Sequence, residues 1–91
     1  METVNKAVVT VLGKDTTGII ARVSAVLLKH NANILDITQT VLSGMFTMVM
    51  IVDLRDSVFA DLADDLDQAG KQMGLQVRIQ RSEIFDAMHR I

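Results

Sequence analysis

The chain has 91 residues, of which 49% are hydrophobic and 22% are charged, and its formal net charge is -2. This length suits a single domain with one modest core. The absence of cysteine excludes disulfides and thiolate metal sites. With only three aromatic residues and a negative net charge, we expect no nucleic-acid partner. No apolar run is long enough for a bilayer and no signal-peptide pattern is present, so we expect no membrane association and a cytoplasmic location.

The first third of the chain predicts a strand, a turn and a helix. Residues 6–12 are rich in β-branched side chains and apolar on both faces, which is typical of a central strand. Residues 13–18 are turn-forming. Apolar residues recur at helical spacing from Ile19 onward. We expect this helix to end near His30 and Asn31, because asparagine tolerates the left-handed conformation that follows a helix.

The rest of the chain continues as strand, strand, helix and strand. Asn33 begins a strand over 34–42, with Leu35, Ile37 and Val41 on one face, and 43–44 predict a hairpin turn into a strand over 45–54. Residues 55–57 predict a turn, with Asp56 or Ser57 as the N-cap of a helix that ends at Gly74. Residues 75–81 alternate in polarity as a last strand does.

This order predicts an α+β, ferredoxin-like βαββαβ sandwich, in which two helices cover one face of a four-stranded antiparallel sheet. Apolar residues return to helical spacing near the C-terminus, which predicts a short amphipathic helix; they are Ile84, Phe85, Met88 and Ile91. We therefore divide the single domain 1–91 into a core over about 5–82 and an extension over 83–91. The second sheet face is too apolar to stay open, so we expect a second copy or the C-terminal helix to cover it.

Conventional catalytic groups are scarce. The histidines, His30 and His89, lack a nucleophile or ligand motif around them, and His30 is explained by the negative end of a helix dipole. The acidic residues of the second helix lack the loop carbonyls that a calcium site needs. We therefore predict no enzyme activity, no metal site and no cofactor.

The loop over 13–18 is the best candidate for a binding site. It joins the end of a strand to the start of a helix, where free backbone N–H groups and the helix dipole attract a carboxylate. Asp15 would attract an ammonium group, and Thr16 or Thr17 would donate a hydroxyl. This combination suits a free α-amino acid. The alternative is that Asp15 or a threonine simply caps the helix.

Two motifs resemble the ACT domain family. One is Asp-Thr-Thr-Gly-Ile-Ile over 15–20, and the other is Asn-Ala-Asn-Ile over 31–34, on either side of one helix. The resemblance covers nearly the whole chain, and the chain is similar to the small stand-alone bacterial members of this family. The resemblance implies an amino-acid ligand at a homodimer interface. It assigns Asp15, Gly18 and Ile19 to the ligand loop and Asn33 and Ile34 to a strand that faces it across the interface, with Asn31 adjacent.

We therefore predict a non-enzymatic regulatory module that binds an amino acid or related metabolite as a homodimer and acts on an unidentified regulated protein. The alternative is a protein-interaction or assembly module whose ligand site is vestigial.

Overall fold

The computed structural model describes residues 5–81. Its elements, in chain order, are β1 (Lys6–Lys14), α1 (Ile19–Lys29), β2 (Asn33–Leu42), β3 (Met45–Asp53), α2 (Phe59–Met73) and β4 (Leu75–Arg81). The predicted βαββαβ order is confirmed. Strand β1 continues two residues beyond its predicted end, because Gly13 and Lys14 still pair with β3. The helix predicted over 83–91 lies outside the described residues.

The sheet has the strand order β2-β3-β1-β4, with antiparallel pairing throughout. Strands β1 and β2 both run antiparallel to β3, so they point in the same direction. Their C-terminal residues therefore lie at one end of the sheet, where Gly13 and Val41 both pair with Phe46. The N-terminal residue of β2, Asn33, lies at the opposite end beside Asp53.

The core lies between the two helices and one face of the sheet. Its fully buried side chains come from the two central strands and from both helices; they include Val9, Val11, Met48, Met50, Val23, Leu27, Leu62 and Leu66. Burying each large apolar side chain contributes roughly 1.5–3 kcal/mol. The periodic apolar positions predicted from the sequence therefore form the main stabilising contacts. Within residues 5–81, neither helix is long and apolar enough to cross a membrane.

Strand β2 is an edge strand and is poorly covered by the helices. Leu35, Ile37, Val41 and Leu42 remain 46%, 40%, 52% and 74% exposed. A β-bulge between Ile34 and Asp36 interrupts the predicted alternation of this strand. The bulge allows Ile34 and Ile37, which are three residues apart, to pair with Val52 and Met50 on the helix-covered side.

The predicted turns form where backbone angles of positive φ are required. Ser43 and Gly44 have φ of 52° and 78°, as expected for a tight hairpin turn between β2 and β3. Gly74 ends α2 with φ of 72°, and Asn31 follows α1 with φ of 62°. These three turn predictions are confirmed.

The predicted N-cap of α2 is wrong. The N-cap is Val58, which makes no side-chain capping hydrogen bond. Both predicted capping side chains instead bind the end of α1. The Ser57 hydroxyl donates to the His30 carbonyl oxygen at 2.5 Å, and the Asn31 side-chain amide donates to the Asp56 carboxylate at 3.2 Å.

Candidate functional site

A cavity of about 490 Å³ lies between the β1–α1 loop and the last residues of β2. It forms here because β1 and β2 end on the same side of the sheet. Its lining combines the loop and first turn of α1 with the end of β2 and the start of β3; these residues are Asp15, Thr16, Gly18, Ile19, Ile20, Ala21, Gln39, Thr40, Val41 and Phe46.

Backbone contacts hold the loop beside the β2–β3 hairpin. The backbone N–H of Asp15 donates to the Gly44 carbonyl oxygen at 2.9 Å. Gly18 is the N-cap of α1 and has φ of 87°, in the left-handed region. Its carbonyl oxygen accepts the backbone N–H of Arg22 at 3.0 Å.

No side chain of the described chain caps α1. The alternative that Asp15 or a threonine caps this helix is therefore wrong. The exposed side chains of Asp15 and Thr16 remain available to a ligand at the cavity. The first N–H groups of α1 lack intrahelical acceptors and carry the positive end of the helix dipole.

The lining has polar and apolar sides. Asp15 supplies a carboxylate, while Thr16, Gln39 and Thr40 supply hydroxyl and amide groups. Ile19 and Phe46 form an apolar wall. Since no lysine, arginine or histidine of the described residues lines the cavity, the helix N-terminus is its main attraction for an anion.

The structure brings only part of the predicted site together. Asp15, Thr16, Gly18 and Ile19 line the cavity, whereas Thr17 is an exposed residue of the same loop and does not. The second motif lies at the far end of α1 and β2. Ten residues of extended strand span about 30 Å, so Asn33 and Ile34 cannot contact the loop of their own chain.

The three predicted site residues of the second motif have local structural roles. Asn31 reaches Asp56 through its amide, Asn33 pairs with Asp53 at the start of β2, and Ile34 packs against the core. Within one chain, therefore, the two motifs do not form one site.

The sequence missed most of the second wall of the cavity. Gln39, Thr40, Val41 and Phe46 belong to no local motif, and Ile20 and Ala21 in the first turn of α1 were not predicted as site residues. The available signal was topological, because β1 and β2 of a βαββαβ fold run in the same direction and bring the β2–β3 hairpin beside the loop.

The sequence pattern of the ACT domain matches residues 5–80. The chain belongs to the ACT domain family. A UPF0237 protein of Bifidobacterium longum is 51% identical over 89 residues, which cover 96% of this ACT domain protein and 99% of the relative. A UPF0237 protein of Methanocaldococcus jannaschii is 47% identical with the same coverage. The structure of an ACT domain protein from Streptococcus pneumoniae superposes with a TM-score of 0.81 at 36% identity, covering 92% of this chain and 97% of that one.

A second polar cluster in this ACT domain joins the two helices. Nε2 of His30 lies 2.6 Å from a carboxylate oxygen of Asp65, and the Lys29 ammonium lies 3.4 Å from the same oxygen. The hydrogen bond from His30, followed by that from Lys29, lowers the pKa of the Asp65 carboxyl below its ordinary value of 3.8. This cluster is an interhelical ion pair. The acidic residues, histidines and other ligands of the described chain form no group able to hold a metal.

Proposed function

We propose that this ACT domain is a non-enzymatic regulatory module that binds an α-amino acid or a close chemical relative at a homodimer interface. The observation that carries the proposal is the cavity at the uncapped start of α1, which lies beside an exposed apolar edge strand. Ligand binding would then favour one dimer geometry over another and pass that preference to a regulated protein.

The lining of the cavity suits a zwitterion. The N–H groups at the start of α1 attract a carboxylate, and the Asp15 carboxylate attracts an ammonium group. An apolar ligand side chain would contact Ile19 and Phe46. The volume of about 490 Å³ is within the range of small-molecule sites.

A second copy would complete the site. If two β2 strands pair antiparallel at their exposed edges, the Asn33 end of each strand lies beside the Leu42 end of the other. Asn33 and Ile34 of one chain would then approach the β1–α1 loop of the other. The same arrangement would cover Ile37 and Val41, and the exposed Leu28 of α1 lies on the helix next to this edge. Burial of these side chains would favour the dimer.

Calorimetric titration of the chain with each of the twenty amino acids tests the proposal. For the amino acid that binds, we expect Asp15→Asn to weaken the affinity at least tenfold, because a hydrogen bond to a charged group contributes about 1.5–3 kcal/mol. The melting temperature should hardly change, since Asp15 caps no helix. Asp64→Asn, which removes an exposed carboxylate from α2, is the matched control and should bind normally.

The proposal fails if the folded dimer binds no amino acid at millimolar concentration. It also fails if Asp15→Asn and Asp64→Asn bind equally well.

A second candidate function is an assembly or protein-interaction module with a vestigial site. The exposed apolar side chains of β2 favour it independently of the cavity. The same titration separates the two functions. A stable dimer that responds to no amino acid would support the assembly module.

A further inference from the structure

The sheet has a second face that the helices do not cover. Alternation places on this face Val8 and Leu12 of β1, and Val49 and Ile51 of β3. These side chains form an apolar band along the two central strands. Val8 is 8% exposed, whereas Leu12 and Val49 are 39% and 38% exposed. The band is therefore most buried near the C-terminal end of β4, where Arg81 pairs with Ala7, and becomes more exposed toward the other end of the sheet.

The flanks of this face are polar. Gln80 and Arg78 of β4 lie in register with Val8 and Thr10, and Asp36 and Thr38 of β2 lie in register with Ile51 and Val49. An apolar middle with polar flanks fits one amphipathic segment that lies along the strands.

We propose that residues 83–91 of the same chain occupy this face, with their apolar stripe against the band. Strand β4 ends at Arg81, which pairs with Ala7, one residue from Val8. The Arg81 guanidinium lies 4.6 Å from the centre of the Phe59 ring, on the helix-covered side of the sheet. The chain that follows thus begins beside the most buried end of the band.

The length and pattern of the segment match the band. Nine residues in helical conformation span about 14 Å, which is about two side-chain repeats along a strand. The segment would thus extend from Val8 and Ile51, past Val49, to Leu12 and stop short of Met45. Its apolar residues Ile84, Phe85 and Met88 share one side of such a helix, and Arg90 lies on the other.

A second copy fits this face less well, an argument that rests on the edge-paired dimer proposed above. If two such dimers stacked with these uncovered sheet faces together, Arg78 would lie opposite the Arg78 of another chain, and Lys6 would lie opposite Lys14. Both contacts would bring like charges together. If the two stacked sheets were instead related by a two-fold axis parallel to the strands, Lys6 of one chain would lie opposite Asp53 of the other. Combined with edge pairing, however, that axis produces an open-ended filament.

Methyl NMR of the full-length chain without ligand tests the proposal. In Phe85→Asp we expect the methyl signals of Val8, Ile51 and Val49 to shift, while those of Met45 at the far end stay in place. Arg90→Asp, on the opposite side of the segment, is the matched control and should leave all of them unchanged. Unaltered signals of the core residues Met50 and Leu66 show that each variant is folded.

Two outcomes would overturn the proposal. The first is that Phe85→Asp leaves the signals of the band unchanged. The second is that these signals vary with protein concentration and ignore the tail substitution, which would identify a second copy as the occupant. Since no amino acid is present, the result is independent of whether the cavity binds one.

Discussion

At position 70, tertiary packing requires a glycine, although the neighbouring residues in the sequence give no sign of this requirement. It lies in the interior of α2, where glycine is unfavourable, and it is buried against β4. A Cβ at this position would lie 2.7 Å from Cγ2 of Val77 and 3.0 Å from the Leu75 carbonyl oxygen. The glycine therefore allows helix and strand to approach closely, which offsets its poor helix propensity.

Gly70→Ala is expected to destabilise the fold. Alanine gains about 1 kcal/mol of helix propensity, but its Cβ would clash with Cγ2 of Val77 and crowd the Leu75 carbonyl oxygen, which costs about 1–3 kcal/mol. We expect a net loss in the free energy of unfolding, measured by chemical denaturation. Ala60→Gly in the exposed part of α2 measures propensity alone in the same helix. If Gly70→Ala raises the stability, close packing at this position is not needed.

At the scale of elements, polar contacts fix how the end of α1 meets α2 and the loop before it. His30 and Lys29 bind Asp65 of α2, and the Ser57 hydroxyl binds the carbonyl oxygen of His30. Asp56 and Ser57, which the sequence predicted as N-caps of α2, thus form hydrogen bonds to the residues that follow α1. The contacts with His30 and Lys29 lower the pKa of the Asp65 carboxyl.

The contribution of Asp65 to stability should depend on pH. Because its pKa is lowered in the folded chain, its stabilising effect is fully present above the ordinary carboxyl pKa of about 4. The effect is lost as the pH falls through the lowered value. We expect Asp65→Asn to reduce the free energy of unfolding near neutral pH, with a difference from wild type that shrinks toward zero in acid.

Denaturant titrations over a pH series measure this difference. Asp61→Asn, an exposed acid in the first turn of the same helix, is the control for a general charge effect. A difference for Asp65→Asn that is constant across the series would contradict the lowered pKa.

At the scale of the whole molecule, the helices cover the central strands and leave β2 at an exposed edge. Ile37 lies at the middle of this strand and is 40% exposed. An antiparallel pair of β2 strands would set Ile37 close to its own copy across the two-fold axis. Exposed edge strands of this kind are sites for association with another chain.

Ile37→Lys should therefore dissociate the proposed dimer. It would place two like charges together at the axis and remove apolar burial from both chains, so we expect the dissociation constant to rise at least tenfold. Sedimentation equilibrium measures the mass against the 10.0 kDa of one chain. Val58→Lys changes a 59% exposed apolar residue before α2 and should leave the dimer intact. Equal dissociation constants for the two variants would contradict edge pairing.

Most of the fold could be predicted because its signals are local. The apolar stripes of α1 and α2 and the turns at 43–44 and 74 follow from side-chain periodicity and from the residues that tolerate positive φ. The bulge in β2 and the N-cap of α2 could not be predicted this way. Both depend on partners that are distant in sequence, namely the register with β3 and, at the end of α1, the His30 carbonyl oxygen and the Asn31 side-chain amide.

For the candidate site, the sequence by itself predicted the loop over 13–18 and determined the family. Only the tertiary structure decided what surrounds that loop. Because β1 and β2 run in the same direction, the end of β2 and Phe46 form the other wall of the cavity, while Asn33 and Ile34 lie at the opposite end of the strand. Strand direction and register are collective properties of the paired backbone, so no local run of residues specifies them.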